Sequence, residues 1–136
     1  MKVIDTISEK HITQLHELYK NEWWTNTRTL EETKKVVIGS QISIGIVNEN
    51  DDLIGFARVL TDYIFKALIF DVITQRELRN IGIGQKIMTA IMDHEKLEQV
   101  KHFELYCLQE MKAYYEKFGF STDTGGIILM RYTAEQ

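Results

Sequence analysis

The chain has 136 residues, 44% of them hydrophobic, with 16 Lys and Arg against 20 Asp and Glu and a formal net charge of −4. Such a chain is expected to form one domain, 1–136, with a sizeable core, and its acidic balance without a basic stripe excludes a phosphate-neutralising nucleic-acid surface. No apolar run reaches membrane-spanning length, and Asp5, Glu9 and Lys10 break up the N-terminal apolar residues where a signal peptide needs continuity, so no membrane partner and a cytoplasmic location are expected.

Lys2 to Asp5 reads as a short first strand, and Ser8 as the N-cap of a helix with Ile12, Leu15 and Tyr19 facing inward. A polar loop follows, carrying Trp23, Trp24 and Arg28. Thr29 and Glu32 form a Thr-x-x-Glu capping box that opens a second helix through about Ile38. Gln41 to Val47 and Leu53 to Thr61 are apolar runs joined by the acidic turn Asn48-Glu49-Asn50-Asp51-Asp52, a hairpin signal, and Lys66 to Thr74 pairs next. Within it, Leu68 to Ile73 is almost continuously apolar, as expected of a strand buried on both faces. A helix from Gly84 to about Leu97, a strand from His102 to Leu108, a tyrosine-bearing helix and a closing strand from about Ile127 to Tyr132 complete the order β-α-α-β-β-β-α-β-α-β. The helical crossover between Thr74 and His102 suits a right-handed parallel pairing of those two strands, whereas the earlier connections suit antiparallel hairpins, so the class is α/β with a mixed sheet. The lone cysteine, Cys107, reads as a buried small hydrophobe. His11 and His16 lie five residues apart, a poor helical spacing for sharing an ion, and no metal site is expected.

The junction Arg79-Asn80-Ile81-Gly82-Ile83-Gly84 carries the most functional information. It follows a strand and opens an amphipathic helix in which Ile87, Met88, Ile91 and Met92 share one face. A helix starting there aims unpaired N–H groups and a positive dipole end at a glycine loop that an anion can approach closely. No Gly-Lys-Ser/Thr follows, which excludes the P-loop, and only two of the three Rossmann glycines are present. The remaining pattern, Arg/Gln-x-x-Gly-x-Gly/Ala, resembles the acetyl-CoA loop of the GNAT N-acetyltransferase superfamily. A second segment, Met111-Lys112-Ala113-Tyr114-Tyr115-Glu116-Lys117-Phe118-Gly119-Phe120, resembles the tyrosine helix of the same family, with Met111, Tyr115 and Phe118 on one face at i, i+4, i+7. The resemblance covers most of the chain and is strongest over 53–120.

It implies a GNAT-like acyl-CoA N-acyltransferase fold and acetyl-CoA as co-substrate. The pantetheine arm is expected along Val72, Ile73 and Thr74, in a gap between two splayed parallel strands. The diphosphate is expected on the backbone of Arg79, Asn80, Ile81, Gly82, Ile83, Gly84 and Gln85. The implied reaction is direct attack of a primary amine on the thioester, with backbone N–H groups near Val72 and Ile73 as oxyanion donors and Tyr115 as general acid. Leu68 stands where some members carry an acidic base, so Asp71, Asp62 or a water relay would have to serve. Arg76 replaces a frequent Pro and Asn80 a frequent Gly. For the acceptor, a small-molecule or peptide amine, the resemblance points to Trp23, Trp24, Arg28, Arg58 and Asp62. The alternative function is a non-catalytic CoA or acyl-CoA sensor of the same fold, and the assembly is left open between monomer and homodimer.

Overall fold

The computed structural model describes residues 1–134. In chain order its main elements are β1 (Lys2–Ile4), α1 (Glu9–Lys20), α2 (Leu30–Ile38), β2 (Ile42–Val47), β3 (Leu53–Thr61), β4 (Lys66–Thr74), α3 (Ile83–Met92), β5 (His102–Leu105) and α4 (Lys112–Glu116). Among the described residues the strands form one sheet in the order β1-β2-β3-β4-β5, antiparallel throughout except for the parallel pair β4 and β5. The chain divides into two compact units, one of Met1–Tyr106 and one beginning at Cys107. The whole sheet lies in the first.

Local chemistry sets the element ends. The Ser8 hydroxyl accepts the His11 N–H at 3.3 Å while His11 Nδ1 accepts the Ser8 N–H, a capping box in which histidine takes the third helical position. Thr29 and Glu32 form the same reciprocal pair at the start of α2. In the hairpin turn the Asn48 side chain accepts the N–H groups of Asn50 and Asp52, and His11 Nε2 lies 3.1 Å from the Asp51 carbonyl oxygen, fastening α1 to that turn.

The two faces of the sheet are covered by different helices. Phe56 is fully buried in a cluster with Leu15, Leu18 and Tyr19 of α1, while a Cβ placed at the preceding Gly55 would lie 2.6 Å from Ile83 Cγ2 and 3.2 Å from Ile87 Cδ1. Adjacent strand residues point to opposite faces, so α1 covers one side and α3 the other. Gly55 therefore lets α3 pack closely on the sheet, where any side chain would collide with Ile83.

Five expectations are corrected. The helix expected over 84–97 ends at Met92, and a separate 3-10 turn, Glu95–Leu97, restarts behind a cap in which His94 Nδ1 accepts the Lys96 N–H at 3.1 Å. The strand from His102 ends at Leu105 rather than Leu108, because its pairing with β4 stops at Ile69↔Leu105, and Cys107 is exposed rather than buried. The run Leu68–Ile73 is not covered throughout: Ile69 and Ile73 are buried, and Leu68, Phe70, Asp71 and Val72 are half-buried. The segment Ile127–Tyr132 forms no strand among the described residues. It follows Gly125 and Gly126, both at positive φ, and its apolar side chains are exposed, without the ladder partner a strand requires.

Candidate active site

The site grows from an irregularity in β4. In the β3–β4 ladder Phe56 faces Ile73 and Arg58 faces Phe70, so Ala57 alone stands opposite both Asp71 and Val72. This is a β-bulge. Asp71 adopts φ +56°, in the left-handed region that a non-glycine residue enters only when its surroundings hold it there. Those surroundings are explicit. The Asp71 carboxylate accepts hydrogen bonds from Arg28 Nη1 at 2.6 Å and Nη2 at 3.2 Å, Arg58 Nε at 2.7 Å and Tyr19 Oη at 3.0 Å. Each guanidinium also lies over an aromatic ring, Arg28 over Tyr19 and Arg58 over Phe70.

Burial alone would raise the Asp71 pKa. The hydrogen bonds and charges of Arg28 and Arg58 outweigh it and hold the carboxyl below the usual aspartate range. The Tyr19 hydroxyl is pushed far up by burial and by the neighbouring carboxylate, so it stays a donor. Asp71 is thus a structural anion fixed by three side chains, and a base here would have to give up those partners first.

Downstream of the bulge lies an open edge. β4 pairs with β5 only from Lys66↔His102 to Ile69↔Leu105, so Phe70 to Thr74 has no strand neighbour on that side among the described residues. Val72, Ile73 and Thr74 belong to this open stretch. The chain then passes through a 3-10 turn, Arg76–Leu78, and reaches Asn80 at φ +75° and Gly82 at φ +88°, the N-cap of α3. Asn80 tolerates the left-handed angle that glycine adopts freely, so the loop turns sharply despite the substitution. Gly82 offers no side chain to cap α3, leaving the amides of its first turn, Ile83, Gly84 and Gln85, without a side-chain cap. Ile83 is buried and anchors the helix, while Ile81 and Gln85 are exposed. An open depression of about 580 Å³, lined in part by Ile81, Gly82, Gln85 and Lys86, borders this turn.

Trp23 and Trp24 are 69% and 39% exposed, so neither closes the core under the loop between α1 and α2. Arg58 is committed to Asp71. Asp62 caps the β3–β4 turn: one carboxylate oxygen accepts the N–H groups of Ile64, Phe65 and Lys66, and these backbone bonds lower its pKa. Within the C-terminal unit, α4 stops at Glu116, so the seven-residue stripe ending at Phe118 does not form. Phe118 packs edge-on against Tyr114, and Tyr115 packs edge-on against Tyr114 and Phe120. Burial, with smaller contributions from Tyr114 and Cys107, pushes the Tyr115 hydroxyl up to about 12.

Sequence reasoning missed two features of the first unit. Tyr19 was legible as an inward helix position but not as a partner of Asp71. Glu22 was not singled out at all, yet it is buried and binds both Arg76 and Arg79. The only available signal was an acidic residue beside two tryptophans in an otherwise polar loop.

A mixed sheet covered by helices on both faces, interrupted by a bulge and followed by an uncapped helix start, is an α/β architecture with an open strand edge leading to a helix N-terminus. A family model described as an acetyltransferase (GNAT) domain matches residues 40–122, and the chain belongs to that family. Among curated proteins it is similar to the uncharacterized N-acetyltransferase ycf52 of Porphyra purpurea, at 27% identity over 117 residues, covering 84% of this chain and 67% of that protein. Among solved structures it is similar to a Xanthomonas campestris protein assigned to the GNAT family, with TM-score 0.82 and 23% identity over 98% of this chain and 94% of that one. It is also similar to glucosamine-6-phosphate N-acetyltransferase of Arabidopsis thaliana, with TM-score 0.73 and 22% identity over 98% of each chain. At these identities the solved structures speak to the fold alone.

Proposed function

We propose that the chain transfers an acetyl group from acetyl-CoA to a primary amine by direct attack on the thioester. The observation that carries this reading is the open edge of β4 from Phe70 to Thr74, leading directly to the uncapped first turn of α3. An extended amide-bearing chain can hydrogen-bond to such an edge as an added strand, and a diphosphate suits a helix start with bare N–H groups and left-handed residues before it. The residues present therefore fit the co-substrate.

Bound acetyl-CoA would supply an acetyl thioester whose carbonyl is open to an amine. Val72, Ile73 and Thr74 hold the arm through their backbone, and the N–H groups at the bulge are the donors for the developing negative charge on the carbonyl oxygen. Residues Arg79 to Gln85 hold the diphosphate through backbone amides. Tyr115 is the proposed proton donor to the departing sulfur, a role that rests on its segment's resemblance to the family's tyrosine helix. A phenol with a pKa near 12 is protonated at neutral pH, and a thiolate whose conjugate acid has a reference pKa of about 8.5 can accept from a donor positioned beside it. Because Asp71 and Asp62 are both engaged, removal of the amine proton falls to water.

The test is a screen of amine acceptors with thiol release as readout, run beside calorimetric binding of acetyl-CoA. Binding with turnover on at least one amine supports the transferase. Binding with no turnover on any amine assigns the chain instead to a CoA-sensing role, the reading that the engaged carboxylates favour.

A further inference from the structure

Glu22 follows α1 in the loop that carries Trp23 and Trp24, and its side chain is only 8% exposed. Its carboxylate accepts Arg76 Nε at 3.1 Å and, through both oxygens, Arg79 Nη2 at 3.1 Å. The two arginines are half-exposed, at 56% and 49%. A buried carboxylate thus gathers two guanidinium groups that would otherwise repel each other, at the loop that leads to the uncapped start of α3. The grip is partial. Arg76 is held only through Nε, which leaves both of its terminal nitrogens outside the pair, and Arg79 only through Nη2, which leaves Nε and Nη1. Two positive charges against one negative leave the cluster cationic.

We propose that Glu22 is a positioning residue for the acyl donor: it holds Arg76 and Arg79 together so that the N–H groups it does not engage meet the donor's diphosphate. This rests on the acetyl-CoA site proposed above. Two other roles make different predictions. As a mere strut for the loop, Glu22 would matter for stability but not for the arginines' contribution to binding. As an occupant of the anion's own seat, its removal would tighten binding.

The experiment is a mutant cycle read by calorimetric binding of free CoA, which needs no acceptor and no turnover, with thermal unfolding as the folding control. In the wild-type background Glu22→Gln is expected to weaken CoA binding about tenfold, the scale of one charge-assisted hydrogen bond. In an Arg76→Met, Arg79→Met background the same change is expected to have almost no effect, because the N–H donors it positions are gone. An equal loss in both backgrounds, unchanged affinity, or tighter binding in the wild-type background overturns the proposal. Should Glu22→Gln fail to fold, Glu22→Asp keeps the charge, shortens the reach by one methylene and enters the same cycle with the same expected coupling. A wild-type protein that binds no CoA instead overturns the acetyl-CoA site, and is distinguishable because it fails before any substitution is made.

Discussion

Arg28 and Asp71, separated by 43 positions, share two hydrogen bonds of 2.6 and 3.2 Å that tie the loop after α1 to the bulge of β4. The loop with the exposed tryptophans and the strand with the open edge are therefore braced against one another. Among the described residues Asp71 contributes the only negative charge to a cluster that also contains Arg58, and it does so from a left-handed backbone position.

Replacing Asp71 with Asn should destabilise the protein by about 3 kcal/mol at neutral pH, since it leaves two mostly buried guanidiniums without their anion. The folded pKa of Asp71 lies below the unfolded value of about 3.9, so the carboxylate's stabilisation is complete above that value and is lost as pH falls through the folded pKa. Urea unfolding of both proteins should accordingly show a wide gap at pH 7 that narrows only in strong acid. Equal stability at pH 7 would reduce the cluster to a surface ornament.

Gly84 lies in the first turn of α3, where an aspartate favours the helix through its dipole. Gly84→Asp should leave the melting temperature unchanged or slightly higher, yet abolish the further rise expected from acetyl-CoA if it binds the native state. A ligand-induced shift as large as in the wild type would remove this turn from the diphosphate site.

The exposure of Trp23 and Trp24 makes them available to an acceptor. Trp24→Ala should raise the acceptor KM by about tenfold, as loss of a large aromatic contact does, with little change in the KM for acetyl-CoA. Steady-state kinetics with both substrates varied separates the two constants. A loss of stability with both KM values intact would instead make Trp24 a packing residue.

Tyr115→Phe removes one hydroxyl and keeps the ring, so it should lower kcat by about a hundredfold to ten-thousandfold with the acetyl-CoA KM nearly constant. Tyr114→Phe should be much milder. With the Tyr115 hydroxyl near 12, the wild-type rate profile should carry no falling limb from this group below about pH 11. Full kcat in Tyr115→Phe, measured where chemistry limits the rate, would send the sulfur's proton to another source.

What was legible in the sequence was local. Ser8, Thr29 and Glu32 announce their helices because caps act over three residues, and β3 and β4 have the expected limits because apolar runs and turn residues act over a few more. Arg79 to Gly84 was readable as a helix entrance for the same reason. The bulge at Asp71 was not. It depends on Arg28, Arg58 and Tyr19, which reach it from positions 43, 13 and 52 residues away. Glu22 was hidden in the same way, its partners lying 54 and 57 residues downstream. The strand expected at Ile127–Tyr132 is the opposite case: its apolar character is real, but pairing is a property of two strands, and one sequence segment cannot specify it.

Gly55 carries no side chain, yet it fixes how near α3 lies to the sheet. Any side chain there would press on Ile83 and Ile87, so positions 55, 83 and 87 form a single steric unit in which enlargement of one demands reduction of another. Homologous sequences are therefore expected to vary at these three places in concert. A chain that acquired alanine at 55 while keeping isoleucine at 83 would lift the entrance of α3 away from β4 and loosen acyl-donor binding without altering a single atom of the anion loop.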